Sequence, residues 1–160
     1  MYLTTLDSPV GVLTLTSDGD ALTGLWMEGQ KYYPASLTGE TYPDLPVFRQ
    51  AADWLDTYFS HAPLPPLPPL APCGPPFRQA VWKLLQDIPY GHTTTYGSLT
   101  RMLREQGISA AAQAVGGAVG HNPISILIPC HRVLGHDGSL TGYAGGLEAK
   151  RYLLHLEGVL

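Results

Sequence analysis

HAPLPPLPPLAPCGPP, His61 to Pro76, holds eight of the 15 prolines in a chain of 160 residues and separates two halves with different patterning. Proline lacks a backbone donor and its φ is locked near about −65°, so the run cannot enter a helix interior or a central strand. It is expected to be a stiff linker. Ahead of it, Tyr2–Leu6, Gly11–Thr16 and Ala21–Met27 are short β-branched and apolar segments. Asp7-Ser8-Pro9 and Ser17-Asp18-Gly19-Asp20 separate them as turns, so an antiparallel meander is expected. Phe48, Ala52, Leu55 and Phe59 recur at helical spacing, enough for one amphipathic helix over that sheet. Nothing in this half reads as a chemical site.

Beyond the linker the period is helical. Pro76 suits a first turn, and Phe77, Val81, Leu84, Leu85 and Ile88 form one stripe, stopped by Pro89-Tyr90-Gly91. A second helix is expected from Thr95, with Tyr96, Leu99, Met102 and Leu103 on one side and Gly107 as its end. Ser109 is placed to cap a third, Ala110 to Val119, ended by Gly120 and Asn122-Pro123. The last two make a helix-turn-helix, an outline that many helical hairpins share without touching DNA. Gly116 and Gly117 each cost roughly 1 kcal/mol relative to alanine inside a helix, so something approaches this backbone closely. A neighbouring helix or a narrow DNA groove would both serve. The expected class is α+β, with a supporting domain over 1–60, the linker over 61–76 and a mainly helical domain over 77–160.

Composition narrows the setting. A hydrophobic content of 44% argues against disorder, and two cysteines supply no disulfide framework. The N-terminus lacks a basic flank and long apolar run, and no stretch reaches the roughly 20 apolar residues that span a bilayer. A reduced, cytoplasmic chain without a membrane role is expected. The net charge of −4 is unevenly spread: two bases face eight acids before the linker, seven face five after it. That asymmetry is too mild to indicate DNA by itself.

The chemistry gathers late in the chain. Ser125–Ile128 is apolar and β-prone and leads into Pro129-Cys130-His131-Arg132-Val133, which places Cys130 at the end of a short strand. An unassisted thiol is mostly protonated near neutral pH, whereas an imidazole that takes its proton produces the nucleophilic thiolate. His131 is the candidate base. An acid is needed to orient that imidazole and stabilise its cation. Glu157 lies after the terminal stripe of Ala149, Tyr152, Leu153 and Leu156, though spacing does not assign it. A buried inert thiol is the plainer alternative for Cys130, and Cys73 fits it or is simply exposed. Without Cys-x-x-Cys, and with scattered histidines, no metal is expected; without a nucleotide-binding glycine pattern, no cofactor is expected.

Flanked by Asn122-Pro123 and Tyr143-Ala144-Gly145-Gly146-Leu147, the Pro129–Val133 motif resembles the active-site core of the methylated-DNA-protein-cysteine methyltransferases. The resemblance is strong from about Phe77 to Leu160 and looser, toward bacterial members, before that. It implies repair by direct transfer of a methyl or other alkyl group from O6 of guanine in double-stranded DNA to Cys130. The transfer runs once per molecule, and O4 of thymine stays open as a second target. It further implies His131 as base acting through a water, Glu157 as the acid behind it, and Asn122 as brace between the recognition motif and the active-site loop. Tyr96 would crowd the phosphate beside the target and help protonate the leaving guanine. Gln113, Ala114 and Gly117 would meet the minor groove, and Arg132, Val133, Tyr143, Ala144, Gly145 and Lys150 would surround the extruded base. A monomer is implied.

Two positions depart from the family pattern. Gln113 stands where many members carry an arginine that fills the space of the flipped base, and Ala144 where some carry serine. Two other function classes compete. A non-enzymatic sensor of alkylated bases would lack the reactive cysteine. A cysteine hydrolase predicts repeated turnover of esters or amides and leaves the helix-turn-helix unexplained.

Overall fold

The computed structural model describes residues 1–160. Strands β1 (Tyr2–Leu6), β2 (Leu13–Ser17) and β3 (Leu22–Met27) form the expected antiparallel meander. A fourth strand that the sequence reading did not include, β4 (Glu40–Thr41), pairs parallel with β1, so the sheet order is β3-β2-β1-β4 and the sheet is mixed. Register shifts between Thr16 and Ser17, where Gly24 and Leu22 are successive partners and Thr23 is the extra residue. This bulge resets the alternation, so that Leu22, Leu25 and Met27 all reach the core.

Helix α1 (Pro46–Phe59) starts on a proline whose missing donor would have no partner in a first turn. It buries Val47, Phe48, Ala51, Trp54, Leu55 and Tyr58. The stripe expected from sequence was rotated: Ala52 and Phe59 are only partly buried, while Ala51 and Tyr58 are inside. Tryptophan and tyrosine supply more apolar area than the alanine and rim positions that simple spacing selects.

The exposed edge of β3 is closed by the rest of the chain. Leu22 N–H donates to Pro69 O and Leu22 O accepts from Ala71 N, both at 2.8 Å. Three residues on, Leu25 N–H donates to Pro123 O at 2.8 Å and Leu25 O accepts from Ser125 N at 3.0 Å. An unpaired strand edge is a liability, and here it docks both the proline-rich run and the loop ahead of Cys130. A single cluster of 30 buried apolar residues runs from β2 to the last helix.

Helix α2 (Pro76–Gln86) sends Trp82 inward, where Nε1 donates to Ala118 O at 2.8 Å. Helix α3 (Tyr96–Glu105) is capped by Thr95 Oγ1, which accepts from Ser98 N at 3.1 Å. It ends in a Schellman motif: Gly107, at φ +79°, donates to Arg104 O, and Ile108 N–H reaches Leu103 O. Met102 is 39% exposed and Thr100 takes a buried place beside Leu99 and Leu103. Helix α4 (Ala112–Gly120) begins later than Ser109 would allow, with Ala111 at its N-cap and no side-chain cap. The preceding extended segment is instead held by Arg104, whose Nε donates to Ala110 O at 2.9 Å.

The strand expected before Cys130 is absent. Ser125–Leu127 is a tight turn with Ile126 at φ +72°, and Cys130–Arg132 is one turn of 3-10 helix. A strand follows the cysteine instead: β6 (Val133–Leu134) pairs parallel with β5 (Thr94–Thr95), which joins the active-site turn to the start of α3. Helix α5 (Leu147–Leu156) closes the chain, burying Lys150, Leu153 and Leu154 while Tyr152 stays 41% exposed.

Candidate active site

A β-branched residue at positive φ stores strain of order 1–3 kcal/mol and persists only where its surroundings over-determine it. At Ile126 the clamp is Asn122. Its Oδ1 accepts from Ile124 N at 3.0 Å and its Nδ2 donates to Ile128 O at 2.7 Å, so one buried amide spans the turn. The end of α4 and the approach to Cys130 are thereby one rigid piece, the bracing geometry expected of Asn122.

Cys130 opens the 3-10 turn and is 4% exposed. His131 and Glu157 are fully buried side chains 26 residues apart, joined between Nε2 and Oε2 at 2.5 Å. The carboxylate accepts four further bonds: from Arg132 Nε (2.8 Å) and Nη2 (3.2 Å), from Tyr58 Oη (2.6 Å) and from Gly91 N (3.1 Å). Burial works to raise the Glu157 pKa, but the His131 and Arg132 donors prevail and hold it down at about 2. An ionised carboxylate is acceptor-only, so His131 carries its hydrogen on Nε2 and leaves Nδ1 with a free lone pair. Nδ1 has no partner in the protein.

Burial pushes the Cys130 thiol up to about 11, against the opposing pull of Asn122 and the Lys150 ammonium. Burial also lowers His131, outweighing Glu157. In both groups burial disfavours the charged form, the thiolate of Cys130 and the imidazolium of His131. The unpartnered Nδ1 of His131 is a proton acceptor beside the thiol-bearing residue.

Several expected base contacts lie elsewhere. Arg132 points inward, its Nη1 donating to Ile88 O at 2.6 Å and its other donors spent on Glu157. Val133 is fully buried. Lys150 is buried as well, with Nζ donating to Val133 O at 2.5 Å and Thr141 O at 2.9 Å. Burial drops its pKa to about 8. It staples the 141–147 loop to β6, a support behind the wall instead of a face of it. Tyr143 is buried with its hydroxyl unpartnered, and a side chain at Gly145 would meet Met27 Sδ at 2.5 Å. Tyr96 Oη lies 3.1 Å from both Thr141 O and Gly142 O; its pKa is pushed up to about 12, chiefly by burial and then by Cys130, which is ionised at such high pH.

Gln113 and Ala114 are exposed, and side chains built at Gly116 or Gly117 would meet nothing within 4 Å. No neighbouring helix explains these glycines; they form an open face. Beside it lies a cavity of about 340 Å³ lined by Gly116, Gly120, Tyr143, Ala144, Lys31 and Tyr32, among others; Cys130 is not among its lining residues. Tyr32 stacks on His121 at 3.7 Å, and Lys31 N–H donates to Ala144 O at 2.8 Å. Sequence reading missed Lys31, Tyr32, His121 and Tyr58 at this site, since no motif joins them to it. No group of three or more His, Cys, Asp or Glu side chains comes together as a metal site.

The fold and site define a class: a protein with one buried cysteine, followed by a buried histidine, behind an open, glycine-faced helix-turn-helix. The 6-O-methylguanine DNA methyltransferase family matches in two parts, its ribonuclease-like domain over residues 1–68 and its DNA binding domain over 76–159. The methylated-DNA--protein-cysteine methyltransferase of Mycobacterium tuberculosis is 47% identical over 157 residues, covering 98% of this chain and 92% of the relative. That of Haemophilus influenzae is 44% identical over 164 residues, covering 98% and 86%. The crystal structure of Mycobacterium tuberculosis OGT in complex with DNA superposes with a TM-score of 0.85 at 45% identity, covering 98% of this chain and 92% of that one. This chain belongs to the 6-O-methylguanine DNA methyltransferase family.

Proposed function

We propose that the chain repairs DNA by moving an alkyl group from O6 of guanine to Cys130, in a single irreversible event. The observation that carries this reading is the buried His131–Glu157 pair on the turn that Cys130 opens, with His131 Nδ1 left without a partner. As the alkyl carbon approaches, the Cys130 proton passes to Nδ1, through a water in the family pattern, and Glu157 stabilises the resulting imidazolium. The Cys130 Sγ–carbon bond forms as the carbon–O6 bond breaks, in line, and the electron pair leaves with the purine. Tyr96 supplies a proton to the departing guanine. The product is a thioether, and nothing in the site would cleave a carbon–sulfur bond, so the protein is consumed.

The target atom sits inside the base stack, so the nucleotide leaves the duplex first, at a cost of a few kcal/mol. The open face of Gly116 and Gly117 admits a minor-groove wall, with Gln113 and Ala114 beside it. The extruded base enters beside Tyr143, Ala144 and Gly145. Residues 77–160 act as the DNA-binding and acceptor domain, 1–60 as its support and 61–76 as the connection. The working protein is a cytoplasmic monomer; no helix is long and apolar enough to cross a membrane.

The test is mass spectrometry of the intact protein after one-to-one reaction with a duplex containing O6-methylguanine. One methyl mass on the peptide carrying Cys130 is expected, lost in Cys130→Ala and kept in Cys73→Ala. Unmodified protein beside an untouched lesion refutes the reading.

A further inference from the structure

A side chain of the N-terminal half hydrogen-bonds directly to Glu157. Tyr58, on the buried face of α1, is 1% exposed and donates to Glu157 Oε2 at 2.6 Å, the same oxygen that takes the His131 Nε2 hydrogen at 2.5 Å. Its ring is fixed from two sides, stacked on Trp54 at 5.3 Å and edge-on to Tyr90 at 6.0 Å. A phenol held this way, 99 residues from its acceptor, is more than filler, since a phenylalanine would pack as well and leave the carboxylate one donor short.

We infer that Tyr58 is a positioning residue for alkyl transfer: its hydroxyl shares Oε2 with His131 and so sets how firmly Glu157 holds the imidazolium, an inference that rests on the reaction proposed above. Three donors meet on that oxygen, His131 Nε2, Tyr58 Oη and, at 3.2 Å, Arg132 Nη2; they divide its lone-pair density, and withdrawing one strengthens the bonds to the others. The remaining groups around the carboxylate are Arg132 on the active-site turn, Tyr90 and the Gly91 N–H on the loop after α2, and Tyr143 from the 141–147 loop. Lys150 of α5 acts on His131 from farther off. None of these changes when Tyr58 loses its oxygen. Glu157 then attracts the imidazole proton more strongly, His131 titrates at higher pH, and its neutral, proton-accepting form is lost earlier on acidification.

The measurement is the pH profile of single-turnover alkyl transfer in the full chain, paired with an NMR titration of His131 in the absence of DNA. In Tyr58→Phe, the acid limb and the His131 titration are expected to rise together by about one pH unit, so that transfer on the acid side falls roughly tenfold. Trp54→Phe disturbs the same packing and keeps the hydroxyl; it should lower the melting temperature while leaving both curves in place. A Tyr58→Phe protein whose His131 titration does not move, or a Trp54→Phe protein whose curves move as far, overturns the inference. A shifted titration in a protein whose wild type transfers no alkyl group at any pH leaves the coupling of Tyr58 to His131 through Glu157 standing, and overturns the proposed reaction together with the part of the inference that rests on it.

Discussion

Glu157 illustrates how much one side chain is asked to do. It neutralises the buried Arg132, orients His131 and accepts from Tyr58 and Gly91. Glu157→Gln would leave a buried guanidinium unpaired, which destabilises by about 3–5 kcal/mol, and would leave the imidazolium unsupported, slowing transfer by about 100-fold or more. Thermal melts and single-turnover rates on the same preparation check both. The wild type carries a linked pH dependence. The Glu157 pKa is held at about 2, against about 4.3 in an unfolded chain, so its contribution of about 3 kcal/mol is complete above the higher value. It is lost as pH falls through the lower one. His131 adds in the same direction, because a base buried neutral binds its proton more readily once unfolded. Urea unfolding from about pH 6 down to about pH 2 should therefore show falling stability, and Glu157→Gln should flatten the lower part of that curve.

At the scale of elements, α4 departs from what makes a good helix. It has no side-chain cap and two consecutive interior glycines with open space above them. Gly117→Leu should therefore stabilise the free protein by about 1 kcal/mol through helix propensity while weakening duplex binding at least about tenfold, as bulk enters the groove-facing surface. Melting temperature and fluorescence anisotropy with duplex DNA separate the two effects; unchanged affinity would count against this face as the DNA surface. The turn at Ser125–Leu127 makes the complementary point. Its residues are β-prone, yet the Asn122 clamp and the pairing of Leu25 with Pro123 and Ser125 impose a turn with Ile126 in the left-handed region. Tertiary hydrogen bonds overrode local propensity there.

For the whole molecule, the proline-rich run marks a change of pattern without being a free spacer, because Pro69 and Ala71 bond to β3 and the apolar core continues across it. Residues 77–160 expressed alone would lose the β3 edge, Tyr58 and much of the packing around α2. They should show neither a cooperative melt nor alkyl transfer, and a stable, reactive fragment would contradict that. Local order was legible in the chain itself: three of the six strands, all five helices and the Gly107 stop follow from turn residues, proline positions and apolar period, which act over a few residues. Cys130 and His131 were legible because they are adjacent in a dense motif, and Glu157 and Asn122 because of the family pattern they complete.

What the sequence alone determined is thus the α+β division, the helix-turn-helix and the cysteine with its neighbouring imidazole. Only the tertiary structure decided that Arg132 and Lys150 face inward, that burial disfavours the Cys130 thiolate, that a strand follows Cys130 instead of preceding it, and that Tyr58 bonds Glu157. Those outcomes depend on burial and on hydrogen bonds between residues far apart in the chain, and neither desolvation nor such a contact leaves a periodic mark in the order of amino acids.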